Sequence, residues 1–133
     1  MIIGIGNDLI DIRRIENTFQ RFGSRFIQRV FTHTEQSKAA AREKSGQHIN
    51  TYAKRFAAKE AMSKALGTGF NHGVFMRDIG VINDSNGKPT IQLTGGAKKR
   101  LEALTPHGKQ AIIHLTLTDE PPLAEAHIII EAP

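Results

Sequence analysis

Apolar residues in the first part of the chain follow two different periods. Residues 1–8 form a short apolar run that includes two glycines, which indicates a buried strand approached closely by another backbone or by a ligand. From residue 9 onward, apolar side chains recur every three or four positions, as on one face of an amphipathic helix. These side chains are Leu9, Ile12, Ile15, Phe19 and Phe22. A strand followed by a helix places Asp8 at the junction, where carboxylates commonly act as helix N-caps.

Three further helices are predicted before the middle of the chain. Ser24 can cap a short second helix, and Thr32 or Thr34 can cap a third that runs to about residue 44. The fourth helix, covering residues 49–66, is the longest and ends at Gly67. The first half of the chain is therefore predicted to be mostly helical.

The second half is predicted to be mostly strands. After a loop rich in glycine, the elements are strands at 79–83 and 89–94, a helix at 97–104, and strands at 112–118 and 126–130. Asn86-Gly87, between the first two of these strands, is a strong hairpin-turn signal. This order predicts an α+β fold, with an antiparallel sheet packed against helices, in a single domain spanning residues 1–133.

Composition narrows the function classes. The chain has 133 residues, no Cys and no Trp, and 39% hydrophobic residues, a somewhat low fraction that leaves room for a core completed by neighbouring subunits. Without Cys there is no thiol nucleophile and no thiolate metal site. No apolar run approaches the length needed to span a bilayer, and the first residues do not resemble a signal peptide. We therefore expect no membrane partner and a cytoplasmic location.

The charge distribution predicts an acidic partner. The formal net charge is +5, which favours nucleic acid, acidic proteins or phosphorylated small molecules. Basic residues crowd one early stretch, opposed there only by Asp11 and Glu16. They are Arg13, Arg14, Arg21, Arg25 and Arg29.

The fourth helix carries the most specific candidate chemistry. A helix places Glu60 and Lys64 one turn apart on one face, which by itself is also the spacing of an ordinary surface salt bridge. Glu60 and the distant Asp8 are a possible carboxylate pair for Mg²⁺, which prefers oxygen ligands and substrate phosphates. Arg55 and Lys59, also four positions apart, lie on a neighbouring face and with Lys64 can address several phosphates.

Several motifs together resemble the holo-acyl-carrier-protein synthases, the small bacterial 4′-phosphopantetheinyl transferases. The matching segments, in chain order, are GIGNDLI (4–10), RF (25–26), RVF (29–31), RFAAKEAMSKALGTG (55–69) and NGKP (86–89). The resemblance covers essentially the whole chain. It implies transfer of the phosphopantetheine arm of coenzyme A to a serine of apo acyl carrier protein, with release of adenosine 3′,5′-bisphosphate, in fatty acid biosynthesis.

The resemblance also implies roles for individual residues. Asp8 and Glu60 match the family's magnesium ligands, and Lys64 matches a lysine that stabilises charge on the phosphates. In the same way Arg55 matches a contact to the nucleotide phosphates, and Phe56 and Gly67 match residues that line the coenzyme A cleft. We include Lys59 and His114 among the residues expected to contact coenzyme A. The serine proton would leave through a metal-associated water or a nearby carboxylate.

The basic surface and the assembly are implied by the same resemblance. Arg14, Arg25 and Arg29 match the surface on which the family docks its acidic carrier protein, with Phe26 as an apolar anchor. The family is typically a homotrimer that binds coenzyme A between subunits, which implies that the last strand belongs to a shared sheet core.

One segment departs from the family pattern. In HLTLTD (114–119), Thr116 replaces the usual serine, and Asp119 stands where many members have a second histidine. This departure argues against histidine contacts to the nucleotide at that end of the site, and His114 is either a ligand contact or an ordinary strand residue.

Two other classes of function remain as alternatives. A basic nucleic-acid-binding module would explain the charge, although only 6% of the residues are aromatic and no binding motif is recognisable. A non-catalytic protein that binds coenzyme A or the carrier would explain the motifs, although it would not need Asp8, Glu60 and Lys64 together. Of the three classes, the resemblance favours the transferase.

Overall fold

A three-stranded antiparallel sheet packs on the longest helix of the chain. The computed structural model describes every residue from 1 to 133. Its elements are β1 (Ile2–Asp11), α1 (Ile12–Phe22), α2 (Ser24–Val30), α3 (His33–Ala40), α4 (His48–Ala65), β2 (Ile79–Asn83), β3 (Pro89–Leu93), α5 (Gly95–Leu104), β4 (Ile112–Glu120) and β5 (Leu123–Glu131). A short 3₁₀ turn, Met76–Asp78, precedes β2. The predicted α+β fold is thus confirmed.

The sheet has the strand order β1-β5-β4, and both pairings are antiparallel. β2 and β3 form a separate hairpin, closed by the predicted Asn86-Gly87 turn. One face of the three-stranded sheet packs on α4 and α4 also packs on α1 and α3, so a single hydrophobic cluster joins sheet and helices. None of the helices has the length and apolar character required to cross a bilayer.

The two early glycines let β1 lie directly against α4. A Cβ atom on Gly6 would stand 2.0 Å from the carbonyl oxygen of Ala61, and one on Gly4 would stand 2.4 Å from that of Ala65. Both alanines are buried. Strand and helix backbones are therefore in contact, as the glycines predicted, and this contact fixes the position of the strand residues after Gly6.

The strand boundaries differ from the prediction at three places. β1 continues to Asp11, because it pairs with β5 as far as Leu123. Leu9 therefore lies in a strand and is 57% exposed, and Asp11 rather than Asp8 caps α1 by accepting a hydrogen bond from the backbone N–H of Arg13. β4 and β5 are also longer than predicted, because both keep pairing up to the Pro121-Pro122 turn.

The third helix is shorter than predicted. α3 ends at Ala40, and residues 41–46 form turns. At its start, Thr32 is the N-cap, and its backbone N–H donates a hydrogen bond to the carboxylate of Glu35, which completes a capping box.

Candidate active site

Asp8 and Glu60 meet where β1 crosses α4. Asp8 lies on the same face of the strand as Gly6, two residues further on, so the close packing at Gly6 brings its carboxylate beside the helix. Lys64 bridges the two elements: its Nζ donates to the carbonyl oxygen of Asn7 at 3.0 Å and to Asp8 Oδ1 at 3.2 Å. The structure thus brings Asp8 to two residues of α4 that lie more than fifty positions later in the sequence.

Lys64 pairs with Asp8 and not with Glu60. The salt bridge expected from the four-residue spacing in α4 is absent, because the Lys64 ammonium reaches across to β1. The carboxylate of Glu60 forms no hydrogen bond or ion pair within the chain, while Lys64 stays 53% exposed. One carboxylate of the cluster is therefore free to take an external partner.

The charge state of Glu60 reflects this arrangement. Burial raises the pKa of Glu60 above its ordinary value of 4.5, and the negative charge of Asp8 raises it further. Lys64 and Arg14 oppose the rise. A divalent cation beside Glu60 would favour its ionised form and so relieve the effect of burial and of the neighbouring negative charge.

The donor set fits Mg²⁺. Asp8 and Glu60 supply two carboxylates, and no third Asp, Glu, His or Cys joins them in a metal-binding group. Mg²⁺ is commonly held by one or two carboxylates, with water and substrate phosphates at its other positions. A site with two carboxylates and an adjacent exposed lysine matches that pattern.

The prediction that Lys59 contacts phosphate is wrong. Its side chain is fully buried, and its Nζ lies 2.7 Å from Glu35 Oε1. The same Nζ donates to the carbonyl oxygens of Met76 and Ile79. Glu35 also accepts from the backbone N–H of Val81. A neutralising partner inside the protein thus holds this lysine away from any surface ligand. We call Glu35, Lys59 and the Met76 and Ile79 carbonyls the Lys59 network.

Arg55 lies beneath the surface on the same helix. It is 4% exposed, and its buried Nε has no hydrogen-bond partner. Burial lowers the pKa of Arg55, with Glu35 opposing the shift and Arg42 adding to it. An unpartnered buried guanidinium nitrogen is costly unless a partner arrives, so an anion is a suitable occupant beside Arg55. Its contact with nucleotide phosphate stays a prediction.

The other residues expected at coenzyme A lie apart from one another within one chain. Gly67 follows α4 with a φ of +78°, beside Arg100, whose Nε donates to the carbonyl oxygen of Leu66. Phe56 packs against Phe26, with ring centroids 6.2 Å apart. His114 lies on β4, where its Nε2 is 2.8 Å from Glu131. The roles of Gly67, Phe56 and His114 stay predictions.

The predicted docking residues occupy α1 and α2. Arg25, Phe26 and Arg29 line a groove of about 670 Å³, whereas Arg14 lies towards Glu60. Sequence reasoning missed one further cationic residue of this groove, Arg77, which comes from the 3₁₀ turn. It also missed Glu35, for which the Thr-x-x-Glu capping signal was visible in the sequence, whereas Arg77 had no local signal.

Comparison with known proteins gives a consistent result. The family model of the 4′-phosphopantetheinyl transferase superfamily matches residues 4–119. The chain is 61% identical to the holo-[acyl-carrier-protein] synthase of Brucella ovis over 132 residues, 99% of this chain and 96% of the relative.

Solved structures agree in fold over nearly the whole chain. The holo-[acyl-carrier-protein] synthase from Neisseria meningitidis has a TM-score of 0.83 and 36% identity, covering 98% of this chain and 99% of that chain. The synthase from Bacillus anthracis, solved in complex with CoA (3′,5′-ADP), has a TM-score of 0.75 and 33% identity, covering 100% and 99%. The helices and sheet that carry Asp8, Glu60 and Lys64 therefore belong to a fold shared with these enzymes.

Proposed function

The chain belongs to the 4′-phosphopantetheinyl transferase superfamily, among the holo-[acyl-carrier-protein] synthases, and we propose that it modifies acyl carrier protein by a magnesium-dependent transfer from coenzyme A. The reaction converts the apo carrier to the holo carrier. The observation that carries the proposal is the meeting of Asp8, Glu60 and Lys64 at the contact of β1 with α4. A carboxylate pair beside an exposed lysine suits phosphoryl transfer, in which positioning and charge stabilisation do most of the work.

Asp8 and Glu60 would hold the metal ion. Burial raises the pKa of Glu60 and the negative charge of Asp8 raises it further, which supports a divalent cation between the two carboxylates. When bound there, Mg²⁺ would neutralise charge on the diphosphate of coenzyme A and polarise the attacked phosphorus. The free carboxylate of Glu60 takes the ion without giving up a bond inside the protein.

Lys64 and Arg55 would address the phosphates. The exposed Lys64 ammonium is anchored by Asn7 and Asp8, so it is placed to stabilise charge that grows on the phosphate oxygens in the transition state. Arg55 offers a buried donor without a partner, which supports its contact with an anionic group of the nucleotide. The synthase from Bacillus anthracis was solved with CoA (3′,5′-ADP), and we extend coenzyme A binding to this chain.

The transfer needs no nucleophile from this chain, because the serine of the carrier attacks the phosphorus. The serine oxygen of the carrier forms a bond to the phosphorus that carries pantetheine, and the bond from that phosphorus to the bridging oxygen breaks. Adenosine 3′,5′-bisphosphate leaves with that oxygen, and the serine proton is released. One of the two carboxylates, or a water that a bound Mg²⁺ would hold beside them, would take this proton.

The assembly we propose is a homotrimer. One face of the three-stranded sheet packs on α4, but the other exposes apolar side chains on adjacent strands, including the directly paired Ile5 and Ile129, with His114 next in register. A second and third copy of the chain would cover this face. Mass measurement by light scattering is expected to give three times the mass of one chain, and the mass of one chain would contradict this assembly.

Intact-mass spectrometry tests the function. Apo acyl carrier protein is incubated with this protein, coenzyme A and Mg²⁺, with an EDTA arm and a Glu60→Gln arm. We expect a gain of one phosphopantetheine arm that disappears in both of these arms, while Lys99→Ala, an exposed change on α5, has no effect. No mass gain, with a reference transferase active on the same carrier, would contradict the proposal and favour a non-catalytic binding protein. The cytoplasmic location stays a prediction for cell fractionation.

A further inference from the structure

The groove beside α2 is built from two separate parts of the chain. Its lining residues are Thr18, Phe22, Arg25, Phe26, Gln28, Arg29, Val30 and Arg77. Three of them are arginines, three are apolar, and none is acidic. Seven lie on α1 or α2, and only Arg77 comes from the 3₁₀ turn before β2, almost fifty residues later in the chain. Two of the three cations of the groove therefore come from α2, and the third comes from the 3₁₀ turn.

The backbone on either side of Arg77 is fixed from inside the protein. Lys59 donates hydrogen bonds to the carbonyl oxygens of Met76 and Ile79, one residue before and two residues after Arg77. The following residue, Asp78, turns towards Thr94, whose hydroxyl donates to its carboxylate at 3.3 Å. The turn that carries Arg77 is thus held at several points, which places its side chain at the groove without help from a surface contact.

The guanidinium of Arg77 has no partner in the chain. The side chain is exposed and forms no ion pair or hydrogen bond, although Asp78 is its direct neighbour. Arg25 and Arg29 are likewise unpaired. Three unpaired arginines around an apolar surface are complementary to a protein helix that presents carboxylates beside an apolar side chain.

We propose that Arg77 is a specificity-determining residue for the carrier protein, contacting a carboxylate of the docked carrier from the 3₁₀ turn that completes the groove. This inference rests on the proposed function and extends the docking surface of Arg14, Arg25, Phe26 and Arg29. The occupant is an acidic helix of the apo carrier, with an apolar side chain over Phe26. Arg77 lines a groove that includes neither Asp8 nor Glu60, so it acts on carrier recognition and not on the transfer step.

The kinetics of Arg77→Ala, Arg77→Glu and Arg77→Lys test the proposal. A charge at the edge of a protein interface contributes about 1 kcal/mol, which corresponds to roughly fivefold in affinity. We expect Arg77→Ala to raise the KM for the apo carrier about three- to tenfold, with kcat and the KM for coenzyme A within about twofold of the original values. Arg77→Glu is expected to raise the carrier KM further, and Arg77→Lys to keep it close to the wild-type value because the positive charge remains. Added salt is expected to reduce the differences in carrier KM among the variants.

The control distinguishes an effect of position 77 from an effect of the net charge of the protein. Lys99→Ala removes one exposed cation from α5 and is expected to leave the carrier KM unchanged. Binding of labelled apo carrier is titrated in parallel, so the inference is tested even if turnover fails. A wild-type protein that binds the carrier but transfers nothing would contradict the proposed function alone. Equal carrier KM and equal carrier affinity in wild type and Arg77→Ala would overturn the role of Arg77.

Discussion

Replacing Lys59 by Met distinguishes a structural lysine from a phosphate-binding one. Methionine keeps a long, unbranched and largely apolar side chain, so it preserves most of the buried volume and removes the ammonium. The change would leave Glu35 without its ion-pair partner, and the carbonyl oxygens of Met76 and Ile79 would lose their hydrogen bonds from Nζ. Glu35 would keep its bonds from the backbone N–H groups of Thr32 and Val81.

The cost follows from the burial of both partners. Lys59 and Glu35 are each 0% exposed, and removing one member of a buried pair costs about 3–5 kcal/mol, since the other charge remains buried without compensation. A natural domain has about 5–15 kcal/mol of stability in total. For 133 residues, each kcal/mol lowers the melting temperature by about 3–5 °C, so a fall of about 10–20 °C is expected.

Thermal and urea unfolding, followed by circular dichroism, measure the effect. The matched control is Lys54→Met on the same helix, where the ammonium lies 3.3 Å from Asp119 in a partly exposed pair. Such a pair contributes about 0–1 kcal/mol, so the control should shift the midpoint by only a few degrees. The double variant Lys59→Met with Glu35→Gln should lose less stability than the sum of the two single variants, because the second change removes the stranded charge.

A different result would restore the phosphate role. If Lys59→Met kept the melting temperature within a few degrees and lost only affinity for coenzyme A, the reasoning from burial would be refuted. If it fell by the same amount as Lys54→Met, the Lys59 network would be energetically neutral. The unfolding curves show whether the melting temperature falls, and a titration with coenzyme A then shows whether affinity for that ligand is lost.

Three further predictions concern the sheet and the metal site. Glu60→Gln should lose transfer activity yet unfold at the same or a higher temperature at neutral pH. Because folding raises the pKa of Glu60, its ionisation opposes folding as the pH rises above 4.5 and through the raised pKa, and glutamine removes that cost. A clear loss of stability would contradict this prediction. Gly6→Ala should prevent normal folding, measured as loss of soluble folded protein, because the new Cβ would stand 2.0 Å from the carbonyl oxygen of Ala61; a folded variant would show that β1 can move off α4. Ile129→Glu should reduce the mass in light scattering to that of one chain and leave the secondary structure intact, because it puts charge on the exposed sheet face; an unchanged mass would exclude that face as the interface.

The sequence predicted the site best where a local pattern required a backbone contact. Two glycines in β1 anticipated the close packing of strand against helix that brings Asp8 to Glu60. The family resemblance supplied the pairing of these two carboxylates, which periodicity alone could not, because nothing in one strand states which helix it will meet. The predicted position of Asp8, at the junction of the first strand and the first helix, was wrong for a similar reason. The length of β1 depends on its pairing with β5 at the far end of the chain.

Periodicity could not decide which lysine of α4 points inward. Lys59 and Lys64 both lie in a helix with polar residues on several faces, and either could have been the surface cation. Burial of Lys59 depends on Glu35, which is 24 positions earlier and reaches it only when α3 packs on α4. The position of Arg77 in the groove depends on the 3₁₀ turn that Lys59 holds in place. Neither the burial of Lys59 nor the position of Arg77 therefore has a local signal in the sequence.

Helix α4 therefore connects two functions through adjacent residues. Successive side chains on a helix project about 100° apart, so Glu60 faces β1 while Lys59 faces α3 and the 3₁₀ turn. A loss of the Lys59 network would let this turn move and would also free α4 beside Glu60, so variants that survive it should show both a higher carrier KM and a lower kcat. Arg77→Ala changes only the groove and should raise the carrier KM alone. The difference between these two kinetic patterns separates the support of the groove from the recognition that the groove performs.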